Sequence, residues 1–157
     1  MEIVPMTELV VFHLDELRIA LMLATVERVV GAVQITRLLD TPDIVLGVVN
    51  VRGCVIPVID ARKRFRLPPR EIAAADRFVI AHTARRPVAL VADAVSGTIQ
   101  CQEQDIVGSG DILPGIEYVD GVMKLGDGLI LIHNLDRFLS LEEEDSLDRA
   151  LSTTGGR

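Results

Sequence analysis

Short oily runs broken by polar turns set the rhythm of this chain. ELVVFHL (8–14) and RIALML (18–23) flank a hairpin-like connection at Asp15-Glu16-Leu17. Further apolar runs follow at VLGVVNV (45–51), CVIPVI (54–59), RFVIAHT (77–83), PVALVA (87–92) and GLILIHNL (128–135). In TIQCQE (98–103), Thr98, Gln100 and Gln102 fall on one face, with Ile99 and Cys101 on the other. That alternation predicts a half-buried strand. Strands this short at this spacing predict small barrels. No long helical pattern separates them, which argues against a doubly wound parallel sheet. Helical signals come late. Asp60 is placed to cap a turn over ARKRF, and Asp136 to cap a helix through RFLSLEEEDSLDRAL. Leu135, Phe138 and Leu139 fall at helical spacing there and predict one docked face. The closing STTGGR is expected to fray.

The pattern repeats. One constant shift, without gaps, lays Leu9-Val10-Val11-Phe12-His13 on Phe78-Val79-Ile80-Ala81-His82, Ile19-Ala20-Leu21 on Val88-Ala89-Leu90, and Val26 on Val95. GVVNVRG (47–53) also resembles GVMKLGDG (121–128), each followed by an apolar run that ends in Asp, at Asp60 and Asp136. Two related strand-rich units are expected, with LPPREIAAAD (67–76) as the segment between them.

Composition narrows the function. A chain of 157 residues, 49% hydrophobic, is long enough for a packed core without covalent staples. Cys54 and Cys101 sit in apolar runs with no CxxC, so both are expected to be buried reduced thiols. His13, His82 and His133 are scattered without ligand spacing, and no metal or cofactor is expected. His13 and His82 hold matching repeat positions, which favours packing over catalysis. No signal peptide and no apolar stretch long enough to span a bilayer appear, so a cytoplasmic protein without membrane insertion is expected. Net charge is −7, and the absence of Trp with a pI near 4.9 argues against nucleic acid. The local exception is the run Arg62, Lys63, Arg64, Arg66 and Arg70, read as a solvated loop or a contact for an acidic partner. GxSxG, HExxH, P-loop and GxGxxG motifs are all missing, which points away from catalysis.

One stretch does not fit a purely structural reading. In GVVNVRGCVIPVID an arginine stands at the joint between two buried runs. Two roles are open to Arg52: an internal salt bridge that pins the hairpin, or a contact for a partner, since a guanidinium offers five fixed donors.

This stretch, extended to GVVNVRGCVIPVIDARKRF, resembles the central signature of the CheW family of bacterial chemotaxis coupling proteins. TRLLDTPDIVLG (36–47), LVADAVSGTI (90–99) and VDGVMKLGDGLILIHNLDRFL (119–139) resemble three further family segments, in order. The resemblance implies a mainly β fold: two intertwined five-stranded SH3-like barrels around a shared hydrophobic core, with a C-terminal helix. It places one domain at about 8–140, with subdomains near 15–80 and 81–135 and an exchange of terminal strands left open. An acidic helix and tail follow at 141–157. It implies no enzymatic activity. The implied role is an adaptor between the cytoplasmic tips of methyl-accepting chemoreceptors and the regulatory domain of a CheA-type histidine kinase, recruited to membrane-bound arrays. An inhibitory decoy, or service in a non-flagellar pathway, is the alternative.

Carried over by position, Arg52 matches the arginine implicated in receptor coupling, Asn50 and Gly53 its turn, and Gly47 the glycine that opens the signature strand. Val26 and Val95 match apolar positions that border partner-binding surfaces, although valines among apolar neighbours are also core candidates. Arg28 joins this set as a departure, standing where the family often carries an acid. Val51, Ala61 and Ala94 also depart from the usual residues, and the Asp15-Glu16-Leu17 connection is a residue short.

Overall fold

A computed structural model describes residues 6–108, 119–126 and 128–155. The oily runs become strands β1 (Met6–Leu14), β2 (Leu17–Met22), β4 (Val45–Val51), β5 (Cys54–Ile59), β6 (Arg77–His82), β7 (Pro87–Ala92) and β11 (Gly128–His133). β8 (Ala94–Gln102) contains the alternating stretch. The pattern does not mark β3 (Val26–Gly31), the short β9 (Ile106–Gly108) or β10 (Val119–Leu125) as independent runs. β3 is hidden because Glu27 and Arg28 interrupt its valines and its outer face, including Val29, lies exposed.

Two sheets form, in the orders β8-β1-β2-β11-β10-β9 and β3-β6-β7-β5-β4. The second has five strands; the first gains a sixth at its edge, the short β9. The fold is mainly β, two intertwined SH3-like barrels with a C-terminal helix. Each sheet is built from both halves of the chain: β3 pairs with β6, and β8 with β1. The repeat reaches into the hydrogen-bond register. Val10 faces Leu21 in the first hairpin, and their repeat equivalents Val79 and Leu90 face each other in the second. The exchange obeys the same rule, since Val26 faces Ala81 and Val95 faces Phe12. Gly47 faces Val58, and Gly121 faces Ile132, each next to a bulge.

The core has three parts. Leu9, Val11, Ala20, Met123 and Ile130 fill one sheet, and Val49, Ile56, Val58, Phe78 and Ile80 fill the other. Between them lies a shared cluster that includes Phe12, Leu14, Ile19, Leu21, Val79, Ala81, Leu90 and Phe138. The central hairpins therefore have two buried faces, which is why their sequences read as continuous oil rather than as alternation.

A charged clasp joins the halves beside this cluster. Arg62 is buried, and its guanidinium donates to Asp15 at 2.7 Å and Asp93 at 2.7 Å. Arg70 reaches Asp93 at 2.5 Å and Asp76 at 2.8 Å. Hydrogen bonds from Arg62 hold the Asp15 carboxyl below its ordinary value. Burial pushes Asp93 up, but the Asp15 amide, Arg70 and Arg62 outweigh it and leave Asp93 below its ordinary value too. The basic run is thus neither a uniformly solvated loop nor an open basic patch. Arg62 turns inward, Arg70 is held at the surface by Asp76 and Asp93, Arg64 holds Glu143 at 2.5 Å, and Lys63 donates to the Asp43 carbonyl. LPPREIAAAD is strapped down in the same way, with the Pro68 carbonyl on Arg62 and the Ala73 amide on Asp76.

Asp60 caps the short helix α1 (Ala61–Arg64) as expected, accepting from the Arg62 amide at 3.1 Å. The C-terminal expectation needs correcting. No helix starts at Asp136. Asn134 caps a 3-10 turn over Leu135–Arg137, and Asp136 accepts from the Ala84 amide. The helix α2 runs Leu141–Gly155. Ser140 and Glu143 close a capping box at its start: the Ser140 hydroxyl accepts from the Glu143 amide, and the Glu143 carboxylate from the Ser140 amide. The predicted docking of Leu135, Phe138 and Leu139 on the core is present without a continuous helix. α2 adds Leu147, which is fully buried, and includes Ser152–Gly155 of the stretch expected to fray; the last two residues lie outside the described ones.

Candidate partner-binding site

The Asn50–Gly53 joint is a two-residue hairpin between β4 and β5, with Val51 facing Cys54. Arg52 and Gly53 occupy the loop with φ of 50° and 84°, the signature of a type I′ turn. The Asn50 side chain accepts from the Gly53 amide at 2.9 Å and ties the turn shut. Gly53 accepts the left-handed conformation at no cost, whereas for Arg52 it costs about 1 kcal/mol. Among the described residues, no hydrogen bond or ion pair engages the exposed Arg52 guanidinium. The internal salt bridge left open by the sequence is not formed. Asn50 and Gly53 build the turn, and Arg52 is what it presents.

The second unit shows what the turn itself requires. At the position of Arg52 stands Gly126, with φ 58°. Asp127, its neighbour in that turn, lies outside the described residues.

Beside the hairpin tip a cavity of about 170 Å³ opens on the end of the β3–β7 core. Val51, Ile56, Ile80 and Pro87 form its apolar wall, while Arg28, Arg52, Cys54, Glu27 and His82 supply the rest. The structure therefore brings Arg28 and Arg52 to one place, next to Asn50 and Gly53. Gly47 is not part of it. That glycine sits at the far end of β4, where a Cβ would meet the Thr36 carbonyl oxygen at 2.3 Å; its role is a close crossing of backbones. Val26 and Val95 sit on exchanged strands in different sheets, each half-buried against the shared core.

Two residues of this region, Cys54 and His82, differ from the sequence reading. Cys54 is exposed rather than buried, because its side chain follows the hairpin out of the core; Cys101 is buried as expected. His82 is also exposed and not a packing residue. It contacts Glu27 at 3.1 Å, across the strand exchange, and in the repeat His13 contacts Ser96 in the same way. The repeat shift maps each pair onto the other, so comparing both partners would have revealed the latch. His133 is the interior histidine. Burial, with Arg64 nearby, pushes its pKa down to about 3, and its ring stands edge-on to Phe138 at 4.2 Å.

The model for the CheW-like domain family matches residues 8–143. This chain belongs to the CheW family. The chemotaxis protein CheW of Klebsiella aerogenes is 27% identical over 143 residues, covering 90% of this chain and 86% of that protein. The chemotaxis protein CheW of Rhizobium meliloti is 28% identical over 141 residues, covering 88% of this chain and 91% of that one. The crystal structure of the scaffolding protein TtCheW from Thermoanaerobacter tengcongensis superposes with a TM-score of 0.80 at 31% identity, covering 87% of this chain and 94% of that one. The CheW assignment fits the duplicated barrels. Among the described residues, no helix is long and apolar enough to cross a membrane.

Proposed function

We propose that this chain is a non-enzymatic coupling adaptor that holds chemoreceptor cytoplasmic tips and a CheA-type histidine kinase in one cytoplasmic assembly at the membrane, and that Arg52 is a contact for the receptor. One observation carries the reading of the site: a guanidinium without a partner among the described residues, held at a backbone angle that penalises it, on a turn that glycine serves in the second unit. Local strain of this kind persists where something outside the fold uses it. The family relationship supports the adaptor role, and the shape supports bridging. A bridge needs different surfaces on one body, and the duplicated barrels offer two related ends whose sequences have diverged.

The test is pull-down and calorimetry with a CheA regulatory domain and a chemoreceptor tip fragment, followed by receptor-dependent kinase phosphorylation. Wild type binds both and raises phosphorylation. Arg52→Glu weakens receptor binding with the fold intact. Full receptor coupling by Arg52→Glu removes Arg52 from the site, and a fall in phosphorylation on adding wild type makes the chain a decoy.

A further inference from the structure

We infer that Arg28 and Arg52 act together as a clamp for one carboxylate, so that the partner seated at this barrel mouth presents an acidic side chain next to an apolar one. The inference rests on the reading above that this end docks a partner, and it specifies the chemistry of the contact.

Three observations carry it. Both arginines line the same cavity, together with the apolar Val51, Ile56, Ile80 and Pro87. At about 170 Å³ it is smaller than the usual small-molecule pocket and suits a side chain delivered by a docked protein. Next, the Arg28 Nε is buried with no acceptor among the described residues. Arg64 and Arg86 also bury an unpartnered nitrogen, but each holds a carboxylate through another nitrogen, Arg64 that of Glu143 and Arg86 that of Asp148. Among the described residues, Arg28 and Arg52 hold none. The acid in the cavity wall, Glu27, is taken by His82.

The duplication supplies the third observation. Arg28 pairs in register with Ile80, and the equivalent pair in the other sheet is Gly97 with Val11. Arg52 corresponds to Gly126. Both cations are thus replaced by glycine at the other barrel mouth, where the same fold stands without them. Two guanidiniums added to one mouth, over an apolar floor in a chain of net charge −7, are complementary to an acid with an apolar neighbour. A planar guanidinium fork matches the two oxygens of a carboxylate.

The experiment measures binding of a purified helical-hairpin fragment of a chemoreceptor tip to wild type, Arg28→Gln, Arg52→Gln and the double variant, with melting curves as the fold control. Each single change is expected to weaken binding about tenfold, and the double change by less than the product, because both groups serve one acid. Replacing the fragment's Glu and Asp residues one at a time by Gln and Asn should find a single position at which Arg28→Gln no longer matters. If Arg28→Gln stays within twofold of wild type while Arg52→Gln still weakens binding, the clamp is overturned and the coupling role stands. If neither change alters binding, both readings fall.

Discussion

Replacing Arg52 by Asn should make the protein more stable and a poorer coupler. The backbone at position 52 has φ of 50°, and Gly53 follows at 84°. Asn-Gly is a favoured pair for such a turn, because the short amide tolerates the left-handed region. Arg lacks that tolerance and carries a penalty of about 1 kcal/mol. Nothing offsets the penalty inside the molecule, since among the described residues the exposed Arg52 guanidinium engages no acceptor. Arg52→Asn should therefore add about 1 kcal/mol to the unfolding free energy, worth roughly 2–4 °C in melting temperature for a domain of this size. Urea unfolding followed by circular dichroism measures the first number, and the receptor-fragment titration measures the loss of binding. Gly53→Ala is the control. A Cβ there has nothing within 4 Å, so its cost should be conformational alone, again about 1 kcal/mol but destabilising. A loss of stability in Arg52→Asn would refute the reasoning, because it would mean that Arg52 pins the hairpin after all.

Other expectations follow from the core. Gly47→Ala should destabilise by roughly 3 kcal/mol or more, because the new methyl lands 2.3 Å from the Thr36 carbonyl oxygen at a φ of 150° that disfavours a side chain; urea titration checks it. His133, lowered from 6.5 to about 3, takes up a proton in the unfolded chain before it does in the fold. Its contribution is full above about pH 6.5 and drains as pH falls toward the folded value, about 2 kcal/mol of it between pH 7.5 and pH 5. His133→Leu should flatten that part of the stability profile, and an unchanged difference between wild type and variant across those pH values would refute it. The clasp titrates separately. Asp15 and Asp93 are both lowered from 3.8, so the stability they contribute is present above about pH 4 and lost below it, a step that Asp93→Asn should reduce in acid-unfolding curves.

The strands were legible because their information is local. A run such as Phe78–Ala81 states that both faces are buried, and the internal repeat holds even in the pairing of Val79 with Leu90. What could not be read depended on where distant residues meet. Nothing in Arg62-Lys63-Arg64 says that Arg62 turns inward to Asp15 and Asp93, each far away in the chain. Cys54 looked buried from its oily neighbours, but it follows a tight turn and points out with it. The capping box at Ser140 and Glu143 was present in the letters, and the competing signal of Asp136 drew the helix start too early. Asn50, Arg52 and Gly53 were legible as a turn from their types. Arg28 was visible only as a family departure, because its place beside Arg52 arises when β3 crosses into a sheet with β6.

The duplication separates what this fold requires from what has been added to it. Where both halves keep a feature, the fold itself accounts for it: Gly47 and Gly121 each let another backbone pass closely, and each exposed histidine latches a residue across an exchanged strand. Where the halves differ at matched register, packing does not account for it. Arg28 against Gly97 and Arg52 against Gly126 are two such differences, and they fall at one barrel mouth although Arg28 lies on β3 and Arg52 in the turn between β4 and β5. The clasp of Arg62, Arg70, Asp15, Asp76 and Asp93 is a different kind of asymmetry. It is centred on the buried Arg62 and Asp76 and its charges meet one another, so it needs no outside partner. The barrel-mouth arginines differ from the clasp in that respect, since among the described residues neither pairs with a carboxylate. Asymmetry with internal compensation is structural; asymmetry without it marks the surface where this adaptor meets another molecule.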